Sequence, residues 1–359
     1  MLRFVRSVVA AACLLGAGWV YGQAVPGWLG KVSIHGYVSQ AYAVSEDHPI
    51  FGIPTDGTTD YRDLALQFRY DQDRKNAFVV QFRHERFGLE RTGDDDVQLD
   101  WAFYQHNFSD RLSLKAGRIP LPLGIFNEAS GAATTSPFFR PPHEFYDRHY
   151  TSKTVEGVLT SASLGRAGGW SFDVDAYFGQ WLLDQWDREE RADARNAWGG
   201  QIWVNTPWQG VRIGGGAYRC EIEPDDVYRL DHDYAALHAS LDADLDRWRI
   251  ATEVFTGNLG KYGRYRTWYG QVGFDVTEKI SVHARSTVAR VEVPINGHDL
   301  HARISDDFGL SVNYAIHPSV LFKVEGHTNE GLLREDVPRN LYAQPARTRY
   351  WIASVVASF

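Results

Sequence analysis

Cysteine is almost missing from this chain of 359 residues: Cys13 and Cys220 are the only two. A disulfide framework is therefore excluded as the source of stability. Long apolar runs are also missing beyond the first twenty or so residues, and the mean hydropathy is −0.35. That excludes a bundle of membrane-crossing helices, each of which needs about 20 apolar residues. No block of lysines and arginines occurs and the net charge is −8. Nucleic acid is thus not an expected partner, because phosphate backbones demand clustered cations. Nor do the histidines fall at metal-binding intervals: His232-Asp233 and His298-Asp299-Leu300-His301 lack the fixed spacings of zinc sites. No metal and no cofactor is implied. What the chain has instead is aromatic side chains, 14% of all residues, far too many for a disordered polymer.

The amino end carries an address. Arg3 and Arg6 precede an apolar stretch from Val8 to about Val20, which gives way to small residues near Gly22-Gln23-Ala24. These are the parts of a secretory signal peptide, expected over residues 1–24, with a mature chain from Val25. Cys13 follows Ala10-Ala11-Ala12, but too little apolar sequence precedes it for a lipoprotein signal. Cleavage leaves Cys220 alone, so an exported protein of this size must be held by something other than disulfides. Closed backbone pairing is one such device.

The mature chain alternates. Leu64, Leu66, Phe68 and Tyr70 interleave with Asp63, Ala65, Gln67 and Arg69. Val97, Leu99, Trp101 and Phe103 interleave with polar or small residues, as do Trp170, Phe172, Val174, Ala176 and Phe178 with Ser171, Asp173, Asp175 and Tyr177. A period of two marks a strand with unlike faces. Here the polar faces carry full charges at mid-strand and the apolar faces end in Trp or Phe, which matches a wetted lumen and a lipid-facing wall with aromatic girdles.

Strands are expected near 31–43, 61–71, 76–86, 97–108, 111–118, 154–164, 169–180, 196–206, 210–221, 233–242, 247–257, 266–276, 279–291, 305–315, 318–328 and 347–359. Their links alternate between tight turns, such as Ser109-Asp110 and Thr277-Glu278, and long loops, such as 119–153 and 329–346. An even strand count with long loops at one rim predicts an all-β fold, an antiparallel transmembrane β-barrel of about 16 strands over residues 25–359. The segment Tyr350–Phe359 resembles the closing strand of Gram-negative outer-membrane barrels, which ends on an aromatic residue.

The link over residues 118–153 is unusually long and not compositionally disordered, with Leu121, Leu123, Phe126, Phe138 and Phe145 among its residues, and it either folds into the pore or packs as a flap over the barrel mouth. It is the candidate constriction loop. Gly117-Arg118-Ile119-Pro120-Leu121-Pro122-Leu123-Gly124, followed by Arg140-Pro141-Pro142-His143-Glu144-Phe145-Tyr146, resembles stretches shared by Gram-negative outer-membrane porin-like proteins. A related pattern occurs in the phosphate-selective porin O and P group. The resemblance implies general porin architecture, an outer-membrane location reached by export, contact with lipid and lipopolysaccharide, and a homo-trimer. No dense run of lumenal cations accompanies the motif, so phosphate selectivity is not implied.

Charge placement names the expected constriction and selectivity residues: Arg118, Glu128, Arg140, Glu144, Asp147 and Arg148 on the loop, with Arg69, Arg83, Lys115, Asp100 and Arg285 on the wall. Glu156 is also expected to face the lumen. Mixed signs would set up a transverse field rather than a ring of one charge. The expected function is passive diffusion of small hydrophilic solutes or ions. Two alternatives stay open, a barrel plugged by its loop with a structural or adhesive role, and a barrel enzyme. No serine, histidine and acid fall in a recognisable catalytic arrangement, so no catalytic residue is named.

Overall fold

A strand with one greasy and one polar side needs two different surroundings, and curling the sheet into a cylinder supplies both. The computed structural model describes residues 27–90, 96–127, 136–146, 152–184, 191–222, 232–258, 263–295, 298–335 and 344–359. After a single 3-10 turn at Leu29–Lys31 come β1 (Val32–Ser45), β2 (Thr58–Asp71), β3 (Asn76–Phe87), β4 (Gln98–Ser109), β5 (Leu112–Pro120), β6 (Thr154–Ala167), β7 (Trp170–Asp184) and β8 (Arg191–Asn205). Then follow β9 (Val211–Ile222), β10 (His232–Leu245), β11 (Trp248–Asn258), β12 (Arg264–Asp275), β13 (Ile280–Ile295), β14 (His298–His317), β15 (Val320–Gly331) and β16 (Ala346–Ser358). Each strand pairs antiparallel with its sequence neighbours, and β1 pairs with β16 to close the barrel. Closure leaves no unpaired edge, the condition a sheet must meet in hydrocarbon.

The seam is continuous. Nine residue pairs join β1 to β16, from Tyr37 beside Ser358 to Ser45 beside Tyr350. Phe359 adds a further rung, exchanging backbone hydrogen bonds with Gly36 at 3.0 and 3.1 Å. A side chain at position 36 would meet the Phe359 ring at 2.7 Å, so glycine is required there.

Outward rows are apolar. Phe178, Trp198, Leu237, Phe308 and Trp351 are all at least half exposed. Trp170, Trp208 and Trp248 mark the short-turn rim, where amphipathic rings favour the membrane interface. Inward rows carry Asp63, Arg83, Glu253, Arg285, Lys323 and Glu325, all buried.

All sixteen expected strands are present, and most run further towards the loop end than their apolar pattern does. β14 starts at His298 rather than near 305, since a strand that continues above the apolar wall has no lipid to face and shows no greasy stripe. One expected face is corrected. Val97, Leu99, Trp101 and Phe103 do not share a side. A β-bulge between Gln81 and Phe82 of β3 places Asp100 opposite a register break, so that Leu99 points outwards while Asp100 and Trp101 are both buried inside. A bulge adds one residue and inverts the alternation beyond it.

Candidate functional site

The long link after β5 leaves the wall and is built into the lumen. Pro120 ends the strand, and Leu121 N donates to Lys153 O at 2.9 Å, tying the two stems of the loop together. Asn127 Nδ2 reinforces that base through Leu121 O at 2.7 Å and Lys153 O at 3.2 Å. Between the stems the chain crosses to the far wall. Gly124 N donates to Gln201 Oε1 of β8 at 2.7 Å, and Ile125 N to Glu253 Oε1 of β11 at 3.0 Å.

Glu253 is the hub of this crossing. Its carboxylate also accepts hydrogen bonds from Ser240, Tyr146 and Tyr269, the last at 2.6 Å. Phe126 N donates in turn to the Tyr146 hydroxyl at 2.9 Å. Gly124 has φ of +61°, and a Cβ there would lie 2.5 Å from the Glu253 carboxylate. Both the handedness and the close approach demand glycine.

The second described stretch, residues 136–146, runs along the opposite wall. Ser311 Oγ and Asn313 Nδ2 of β14 both reach Pro137 O at 3.0 Å. Lys323 Nζ of β15 donates to Ser136 O at 2.6 Å and Phe138 O at 3.4 Å. Phe139 N donates to Glu325. Arg285 of β13 donates to Arg140 O at 2.9 Å while its guanidinium stacks 4.2 Å from the Phe138 ring. Lys323 lies only three positions from the short-turn end of β15, so the loop reaches deep into the barrel. Prolines suit this path: Pro137, Pro141 and Pro142 have no N–H to leave unpaired, and the wall offers mainly donors.

Apolar packing adds to the polar anchors. Leu121, Leu123, Phe145 and Tyr146 join Tyr177, Phe255, Tyr265, Tyr269 and Ile304 of the wall in one buried cluster. Phe139 joins Tyr61, Phe87, Tyr350 and Ile352 in a second. Burying a Leu or Phe is worth about 1.5–3 kcal/mol, against about 1 kcal/mol for a typical hydrogen bond. Packing is therefore a large share of what holds the loop, and the hydrogen bonds fix its register.

Arg140 pairs with Glu90 at 3.0 Å and lies 4.3 Å from the Phe87 ring. Burial works against its charge, but the Glu90 carboxylate more than offsets this and keeps the guanidinium ionised. Glu144 accepts from Ser305, and its own backbone oxygen accepts from the Tyr265 hydroxyl. Burial, helped by nearby Asp307, pushes its carboxyl up to about 7.

Of the expected wall residues, Arg83 is held bidentately by Asp63 at 2.8 and 2.7 Å and also touches Glu85 at 2.8 Å. Lys153 from the loop stem meets the same Glu85 at 2.8 Å. Arg69 pairs with Asp71, Lys115 lies 5.5 Å from the Phe103 ring, and Asp100 accepts from Gln81 at 2.8 Å. Arg285 is inside but committed to the loop.

Two expected lumen residues are corrected. Arg118 and Glu156 face each other across β5 and β6 on the outward row that holds Val158, and pair at 3.4 Å. The phase of the alternation decides this: Gly117 and Ile119 take the inward positions, so Arg118 cannot. Glu128, Asp147 and Arg148 lie outside the described residues, as does the expected signal peptide. The roles of Glu253, Gln201, Tyr269, Ser311 and Asn313 as loop anchors were not foreseen. The available signal was an ionisable residue in a lumen row, Glu253 in β11 and Lys323 in β15, which alone does not say what it holds.

Beneath the loop, towards the short turns, the lumen opens into a cavity of about 830 Å³ whose roof includes Ile125, Phe126 and Pro137.

The fold is shared with solved structures. The chain has the fold of the Gram-negative outer-membrane porins. The OmpF of Salmonella typhi in complex with daunomycin superposes with a TM-score of 0.65 at 10% identity, covering 91% of this chain and 97% of that one. An anion-selective porin from Comamonas acidovorans gives 0.60 at 12% identity over 91% and 99%. The outer-membrane channel DcaP of Acinetobacter baumannii gives 0.59 at 8% identity over 91% and 97%. No protein-family model and no curated protein matches the chain. The likeness to porins is one of fold rather than of sequence, at 8–12% identity.

Proposed function

We propose that this protein is an outer-membrane porin through which small hydrophilic solutes and ions diffuse passively, along a path narrowed by the loop after β5, residues 121–153. One observation carries the reading: a closed barrel with a greasy outer wall keeps charged side chains inside and folds its longest loop among them. Structural neighbours described as a porin and a channel support it. Export by residues 1–24, residence in the outer membrane beside lipopolysaccharide, and a homo-trimer belong to the same proposal. One solved neighbour, OmpT of Vibrio cholerae, is described in a trimer form.

Selectivity would come from the lumenal charges beside the loop stem, Arg83, Asp63, Glu85 and Lys153, with Arg140 at the loop end of the same β3 and Glu144 and Arg285 at the wall of β13 and β14. Both signs are present and mostly paired, so a modest ion preference is expected rather than a strict filter. The test is single-channel recording in a planar bilayer. Stable open steps with a small reversal potential in a salt gradient are expected, and a barrel that inserts without conducting refutes the proposal. The plugged structural barrel is favoured by the fully buried Leu121, Phe138 and Phe145. It predicts that steps appear only after the loop is shortened.

A further inference from the structure

The cavity under the loop is more than a wide place in the path. Its lumenal wall alternates sign strand by strand: Arg212 on β9, Asp242 on β10, Arg249 on β11 and Asp275 on β12. The pairs are engaged on one side only. Both contacts of Arg212 go to Asp242 Oδ2, at 2.9 and 2.8 Å, and Arg249 reaches Asp275 Oδ2 at 3.1 Å. Each guanidinium keeps N–H groups for a further acceptor, and each carboxylate keeps an oxygen for a further donor. Arg249 is 59% exposed to the cavity side, so it is free to turn towards a solute.

Gln271 adds an acceptor in want of a donor. Its Oε1 is buried and has no partner among the described residues. Register makes Gly273 the direct neighbour of Arg249, with Gln271 and Asp275 two positions to either side on the same lumenal row. Diagonal cross-strand neighbours of this kind lie about 7–8 Å apart, within reach of a long side chain. The bare glycine between them is covered by the His283 ring of β13, its register partner, so that ring backs the point where Arg249 faces both acceptors.

The wall around Arg249 is built rather than incidental. The Arg212 guanidinium stacks 4.2 Å from the Trp203 ring. That ring lies flat against β9 because Gly214 has no side chain; a Cβ there would sit 2.6 Å from it. Above, Ile125, Phe126 and Pro137 present an apolar roof.

Donors, acceptors and an apolar roof within one cavity define a ligand chemistry. We propose that this vestibule binds zwitterionic amino acids with an apolar side chain, the carboxylate on Arg249 and Arg212, the ammonium on Asp275 and Gln271, and the side chain under the loop. The inference rests on the channel reading for its purpose but is tested apart from it.

The experiment is equilibrium dialysis of the refolded full barrel in detergent micelles against labelled L-phenylalanine, hydrocinnamate or phenethylamine. Saturable binding of phenylalanine is expected, with each singly charged analogue roughly tenfold weaker because one charge-assisted contact is lost. Arg249→Gln should weaken phenylalanine and hydrocinnamate together by roughly tenfold while leaving phenethylamine within about twofold. Equal binding of the three solutes, or no saturable binding, overturns the proposal with the unmodified protein alone, whatever the variant does. Planar-bilayer conductance separates the two readings. A barrel that conducts without preferring phenylalanine refutes the vestibule site, and one that binds it without conducting refutes the channel.

Discussion

Replacing Glu253 by leucine tests whether the loop is an anchored part of the barrel. The carboxylate takes four donors, but only Ile125 N and the Tyr146 hydroxyl come from the loop; Ser240 and Tyr269 belong to the wall. Lifting the loop therefore breaks two bonds to a charged acceptor, each worth about 1.5–3 kcal/mol. Water rehydrates the carboxylate once the loop leaves, so the lower end applies, about 3 kcal/mol for the two. Converted to an opening equilibrium, that is about two orders of magnitude. Hydrogen exchange read by mass spectrometry on the peptide covering residues 121–127 should accelerate by that factor in Glu253→Leu. Ser240→Ala, which removes a donor that never leaves the wall, should change it less than about threefold. If Glu253→Leu also stays within threefold, the hub carries no loop attachment and the reasoning is wrong.

Further outcomes follow from the same geometry. Gly124→Ala forces a Cβ into the Glu253 carboxylate and a side chain into left-handed backbone, costing about 1–3 kcal/mol. Exchange at residues 121–127 should rise while the temperature at which the barrel unfolds in detergent gels stays unchanged. Glu144 titrates near 7 where it is buried and lower once the loop is released. Its folded value is the raised one, so its contribution to attachment is complete at low pH and lost as pH climbs through about 7. Thermolysin cleavage within 136–146 should accelerate between about pH 5 and about pH 7 and level off above, and Glu144→Gln should flatten that rise. Arg118→Gln should leave the reversal potential unchanged, since that side chain is on the outer wall, whereas Arg83→Gln should move it towards cations.

The fold was legible because lipid enforces it. Most outward residues between the rims are apolar, so Phe178 alternating with Tyr177 and Asp175 reports its own orientation. Legibility failed where that pressure ends. The extra residues of β14, His298 to Ile304, continue the sheet above the apolar wall, and nothing there penalises a charge on either face. It failed also at Asp100, since a bulge is a decision of the paired strands and leaves no mark in one strand read alone. Arg118 was misplaced for a related reason: near the loop end of β5, Gly117, Arg118 and Pro120 give too little contrast to fix the phase. In the loop, aromatic and proline content showed that it packs against something. Which wall side chains receive it depends on contacts between residues more than a hundred positions apart, such as Ile125 with Glu253 and Lys323 with Ser136.

The anchors of the loop sit on β8, β11, β13, β14 and β15, while its stems spring from β5 and β6. Such an element acts as a cross-brace. A hollow cylinder of sheet flattens easily under the lateral pressure of a bilayer, and a strut tied to opposite sides holds its girth.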